Sequence, residues 1–165
     1  MDGVVANFEK RYIELFGDSP DGCVSRDYTN SRDKKEFSEN WKSFIDGKNF
    51  ETLDWWPGGP ELITYLCQLS PDMIEILSSS GGNKYHDEVV EQKKKWVENF
   101  NLPDNWKINI VAGRKRKAEY ATPDSILIDD TKDVIDAFRY AGGIGIHHKD
   151  CGNTIMLLDI LLAKD

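Results

Sequence analysis

Four short stretches of this chain carry residue types that suit phosphate chemistry. Asp2-Gly3 sits at the start. Ser78-Ser79-Ser80-Gly81-Gly82 follows the apolar run Met73-Ile74-Glu75-Ile76-Leu77. Arg114-Lys115-Arg116-Lys117 concentrates positive charge, and Asp129-Asp130 ends the apolar run Ile126-Leu127-Ile128. A phosphate monoester is doubly negative and repels a carboxylate nucleophile. Mg²⁺ offsets that repulsion, prefers oxygen ligands and keeps several waters, so paired aspartates suit it. Serine hydroxyls and backbone N–H groups at a strand end bind phosphoryl oxygens. A fixed lysine charge stabilises the equatorial oxygens as they react.

Each stretch also has an ordinary reading. Asp-Gly is a common turn, and Asp129-Asp130 could cap the helix that follows. The Ser-Gly run could be a plain loop. A run of four basic residues is usually a solvated face, so one of the four at most is expected in a site.

The surrounding elements must bring these stretches together. Phe8, Tyr12, Ile13, Leu15 and Phe16 have helical spacing over 7–17, and Gly17 is a stop signal. Residues 18–34 are polar and turn-rich. Phe37, Trp41, Phe44 and Ile45 mark a second amphipathic helix over 34–46. Pro57-Gly58-Gly59-Pro60 is a turn, followed by a helix over 60–69. Short strands are predicted at 73–77, 108–111, 125–128 and 144–146. Helices are predicted at 84–100, 131–140 and 154–163. Strands alternating with helices predict an α/β fold with a parallel sheet. In such sheets ligands sit beyond the carboxyl ends of the strands, where Asp2, Ser78, Asp129 and Asp130 would all lie.

Composition narrows the function. The 165 residues suit one domain with a small insertion, and 39% hydrophobic content supports a real core. A net charge of −8 disfavours long nucleic acid, whose phosphates need Lys and Arg. Three cysteines without a C-x-x-C pair predict reduced thiols rather than a disulfide framework or zinc site. No stretch reaches the length of a membrane span, and no leader is visible, so a cytoplasmic protein is expected. His147-His148 with Asp150 and Cys151 lacks the second ligand pair a zinc site needs.

Taken in order, these stretches resemble the motifs of the haloacid dehalogenase superfamily of phosphatases, and within it the 5′(3′)-deoxyribonucleotidases. Asp2 to Phe8 resembles the first motif, and Ile76 to Ser80 the second. Lys117 or Lys115 fits the third, and Ile126 to Asp130 the fourth. Lys84-Tyr85-His86 through Glu98, and Pro57-Gly58 with Leu62, resemble flanking elements of the deoxyribonucleotidases. The resemblance implies a three-layer Rossmann-like core of residues 1–8 and 56–165, with a small helical cap of 9–55. It implies Mg²⁺ as cofactor, held by Asp2, Asp129 and Asp130. Asp2 would be the general acid/base. Ser78, Ser79, and Lys117 or Lys115 would bind phosphate. The implied activity is hydrolysis of (deoxy)nucleoside monophosphates through an aspartyl-phosphate. Phe8, Trp55 and Trp56 are candidates for the base pocket, with core packing or hinge filling as the alternative for the two tryptophans.

The family's first motif is Asp-x-Asp-Gly, and Met1 occupies the x. The resemblance therefore implies a nucleophilic aspartate, and the central strand leading to it, upstream of Met1. A sheet without that strand is expected to be poorly stable, to exchange a strand with a neighbour, or to fill the gap with another segment. A homodimer stays open. Two other functions stay open too: a phosphatase for another small ester, and an inactive nucleotide-binding module.

Overall fold

The computed structural model describes residues 1–20, 31–69, 73–103 and 105–163. The protein is mixed α/β, with short parallel strand pairs among helices. No helix among the described residues is long and apolar enough to cross a membrane. Cys23 and most of the turn-rich 18–34 stretch lie outside the described residues.

Helix α1 spans Phe8–Phe16. Asn7 caps it, its Oδ1 accepting from the Lys10 N–H at 3.2 Å. It stops at Gly17, whose left-handed φ of 74° lets its N–H reach the Ile13 carbonyl at 2.8 Å. Helix α2 spans Ser31–Asp46, three residues longer at its start than the apolar stripe predicts. The stripe marks only the packed part of a helix, and polar residues can extend it. A short 3₁₀ turn, Asn49–Thr52, follows, with Phe50 buried. Helix α3 spans Gly59–Leu69.

Strand β1 is Glu75–Ser79 and pairs in parallel with β2, Lys107–Val111. The predicted strand at 73–77 is thus displaced towards Ser78 and Ser79. Pairing decides this: β2 begins opposite Glu75 and continues to Val111 opposite Ser79. Helix α4, His86–Asn99, lies between them in sequence. A second 3₁₀ segment, Arg114–Tyr120, leads to β3, Ile126–Asp129. Helix α5, Lys132–Tyr140, connects β3 to its parallel partner β4, Ile144–His147. Helix α6, Cys151–Leu162, starts three residues before the predicted 154. Asp150 caps it, accepting from the Asn153 N–H at 2.7 Å. Asp150 and Cys151 therefore begin a helix.

The sheet departs from expectation. It is two separate pairs, β1–β2 and β3–β4. A cavity of about 670 Å³ lies between β1 and β3, lined by both strands, Met1, α3 and α6. Among the described residues, no segment lies as a strand between β1 and β3. Residues 1–6 form a tight turn instead, with the Met1 carbonyl accepting from Val4, Val5 and Ala6 N–H.

The end of α2 and the 3₁₀ turn after it dock onto α4. Trp96 Nε1 donates to the Leu53 carbonyl at 2.9 Å, and Gln92 Nε2 to the Ile45 carbonyl at 2.8 Å. The two chain crossings into and out of residues 8–53 run together. Asn7 N–H bonds the Asp54 carbonyl and Trp56 N–H the Val5 carbonyl, both at 2.8 Å.

Candidate functional site

The parallel pairing carries β1 and β3 to Ser78 and Asp129, and residues 1–3 lie at the same end. Gly3 makes that approach workable. Its φ is +67°, and a Cβ there would run into the Asp130 carboxylate. The Asp-Gly at the chain start is therefore a backbone requirement as well as a source of a carboxylate.

Three cations and three carboxylates meet here. Lys93 is fully buried and forms an ion pair with Asp2 Oδ2. It also donates to Ser78 Oγ at 2.9 Å and to the Ser79 carbonyl at 2.8 Å. Lys117 is buried and donates to Asp129 Oδ2 at 2.5 Å. Asp129 Oδ1 accepts from the Thr131 N–H at 3.0 Å. The Met1 ammonium is the third cation, close enough to Lys117, Asp2 and Asp129 to feel each of them.

The electrostatics follow from this crowding. Burial acts on Asp2 to raise its pKa, but Lys93, the Met1 ammonium and Lys117 outweigh it, and the net shift is downward. Asp129 is held down in the same way: burial opposes, and Lys117 wins. Asp130 goes the other way, raised by desolvation and by the neighbouring Asp129 charge. Burial pulls Lys93 below its ordinary value despite Asp2. Burial and then Lys117 lower the Met1 ammonium to about 6.

Each predicted site residue can now be placed. Asp2, Ser78, Lys117, Asp129 and Asp130 come together. Lys117 rather than Lys115 is the buried lysine; Lys115 is exposed on the outer side of the 3₁₀ segment. Arg114 pairs with Asp133 at 3.0 Å and Arg116 with Glu119 at 2.9 Å. Ser79 lends its carbonyl to Lys93, while its hydroxyl accepts from the Gly81 N–H at 3.1 Å, shaping the turn. Ser80 is buried and its hydroxyl meets His86 Nδ1 at 2.8 Å.

Among the aromatic candidates, Phe8 stacks on Phe50 with centroids 5.6 Å apart, and the Lys93 ammonium lies 4.8 Å from the Phe50 ring. Phe8 is thus one ring away from the charged cluster. Trp55 lies edge-on to Trp96 at 5.2 Å and Phe100 at 4.8 Å, so it packs in the core. Trp56 is half-buried against the core at the chain crossing. Trp41 stands closer to the site, its ring packed over Gly81 and edge-on to Phe8 at 6.0 Å.

Lys93 was not foreseen. The signal was present: Val89, Lys93, Trp96 and Val97 share one helical face, and a lysine inside an apolar stripe needs a buried partner.

For Mg²⁺, the donor chemistry is suitable. Asp2 Oδ1 is buried with no hydrogen-bond partner, and Asp130 is a carboxylate made costly to ionise by burial and by the neighbouring Asp129. A hard divalent ion would satisfy both. However, no group of three or more acidic, His or Cys side chains among the described residues is gathered at ligand spacing. Asp2 Oδ2 and Asp129 Oδ2 are instead turned to Lys93 and Lys117. Comparison with protein families, curated proteins and solved structures returns no match.

Proposed function

We propose that the protein is a Mg²⁺-dependent phosphatase of the haloacid dehalogenase type, acting on (deoxy)nucleoside monophosphates. One observation carries the reading. Lys93, Lys117, the Ser78 hydroxyl and the carboxylates of Asp2, Asp129 and Asp130 converge where β1 and β3 end. Two buried lysines give a dianionic phosphate a landing site that a solvated basic patch would not. Mg²⁺, held by Asp130 with Asp2 and Asp129, would supply charge neutralisation for the phosphoryl oxygens.

The chain's own residues would do the rest. Ser78 Oγ and Lys93 hold one side of the phosphoryl group, and Lys117 the other. The reading requires a carboxylate nucleophile, which forms an acyl phosphate as the nucleoside oxygen leaves. Asp2 gives its proton to that oxygen, then takes one from the water that splits the acyl phosphate. Asp2 is ionised when paired with Lys93; an incoming dianion that recruits Lys93 removes that stabilisation and raises its pKa towards an acid's. The half-buried rings of Phe8 and Trp41 offer a surface for a base.

The test is phosphate release from dTMP and dUMP with Mg²⁺. The chain as it stands is compared with one extended to place an aspartate directly before Met1. Turnover only in the extended chain is expected. No turnover in either chain, across a panel of small phosphate esters, would refute the reading. One observation favours a second reading, a nucleotide-binding module: Asp2 and Asp129 each already neutralise a lysine. It predicts binding of dTMP by calorimetry without hydrolysis in both chains.

A further inference from the structure

The loop after β1 begins with Ser78 and Ser79, whose hydroxyl and carbonyl oxygens hold Lys93. Gly81 and Gly82 follow, with φ of +80° and +152°. Glycine moves freely in that region, so the loop keeps one shape only if something restrains it.

Ser80 is the restraint. It is 1% exposed, and its N–H donates to the Val111 carbonyl at 3.0 Å, tying the loop to the end of β2. Its hydroxyl lies 2.9 Å from the Gly82 carbonyl, 2.8 Å from His86 Nδ1 and 3.4 Å from the Val111 carbonyl. A hydroxyl has one proton to give, and a carbonyl only accepts. If that proton went to His86, the Gly82 carbonyl would face the Ser80 oxygen with no proton between them. The proton therefore goes to Gly82, and His86 Nδ1–H donates to Ser80 Oγ. The tautomer of His86 follows: Nδ1 carries the hydrogen and Nε2 the lone pair.

His86 is the first residue of α4, and Lys93 lies about two turns further along the same helix. The helix thus grips the loop twice, at Ser78 and Ser79 through Lys93 and at Ser80 through His86. The two grips differ in one respect. A bound phosphate competes for the Lys93 ammonium, whereas the His86 contact is already complete within the protein.

We infer that His86 is a positioning residue for the phosphate site: through Ser80 it fixes the Ser78–Gly82 loop to α4, so that Ser78 Oγ keeps its place when Lys93 turns to a phosphoryl oxygen. The inference rests on the phosphate-binding part of the proposed function and needs no turnover.

The test titrates the full chain with inorganic phosphate and Mg²⁺ by calorimetry, beside His86→Leu, His86→Asn and Ser80→Ala. Leu keeps much of the bulk and loses the donor, while the Asn side-chain N–H stands near the place of Nδ1–H. His86→Leu is expected to bind phosphate about fivefold to tenfold more weakly, the worth of one hydrogen bond, and His86→Asn within about twofold of the parent. Adding His86→Leu to Ser80→Ala should weaken binding no further, because Ser80 transmits the effect. Ring-nitrogen NMR at neutral pH should place the hydrogen on Nδ1 in the parent. A merely structural role would lower the melting temperature of His86→Leu and leave the phosphate affinity of its folded form unchanged. That result, additive effects in the double variant, or hydrogen on Nε2 in a parent that binds phosphate would overturn the inference alone. A parent that binds no phosphate would overturn the reading of the site and this inference with it.

Discussion

Replacing Lys93 with Met tests the centre of the site. The side chain is fully buried and holds Asp2 Oδ2, Ser78 Oγ and the Ser79 carbonyl together. Met matches its length and its apolar surroundings of Val89, Trp96 and Val97 but leaves Asp2 without its partner. Breaking a buried pair on one side costs about 3–5 kcal/mol. Asp2 keeps 27% side-chain exposure, so water recovers part of that, and a loss of ~2–3 kcal/mol is expected. For a chain of this size that is about 5–10 °C in melting temperature. Asp2→Asn with Lys93→Met should recover most of it, because the pair goes out together. The pH dependence adds a second check. The folded Asp2 pKa lies below its ordinary 3.8, so its contribution is present above that value and is lost as pH falls through the folded pKa. With Lys93 gone, burial is opposed only by the Met1 ammonium and Lys117, and that acid-side loss should shrink. Urea unfolding of the four chains from pH 7 to pH 3 measures both. A Lys93→Met chain as stable as the parent, with an unchanged acid limb and no coupling in the cycle, would refute the assignment of Lys93 as the partner of Asp2.

Lys117→Met should cost about 3–5 kcal/mol through the buried Asp129, while Lys115→Met should stay within about 0.5 kcal/mol in the same denaturation assay. Gly3→Ala should lose more than Gly17→Ala. Both have positive φ and carry a strain of about 1–2 kcal/mol, but only Gly3 has the Asp130 carboxylate where the methyl would go. His148 is buried and its pKa is lowered from 6.5, chiefly by burial. Neutral His148 therefore stabilises the fold above pH 6.5, and that part is lost as pH falls from 6.5 through the folded value. His148→Gln should flatten this segment of the stability curve.

Much of the molecule could be read in advance because its signals are local. Helix α1 shows apolar spacing with an Asn start and a Gly stop, and it forms where those signals lie. The turn at Pro57 to Pro60 and the apolar run at 126–128 behave likewise. The strand β1 was misplaced by two residues, since its limits depend on the residue it meets on β2 and not on its own hydrophobicity. The same distinction separates Trp55 from Trp41. Both are tryptophans, yet Trp55 packs on Trp96 and Phe100 while Trp41, within α2, lies over Gly81.

From sequence alone came the α/β class, the set of acidic, serine and basic residues near strand ends, and the restriction of the basic run to one site member. Those follow from residue type and spacing, which need no partner to be read. Only the tertiary structure chose Lys117 over Lys115, brought in Lys93, and split the sheet into two pairs with a cavity between them. The reason is physical: burial, ion pairing and strand edges are relations between segments far apart in the chain. Lys93 and Asp2 lie at opposite ends of such a relation, and nothing in either local sequence contains the other.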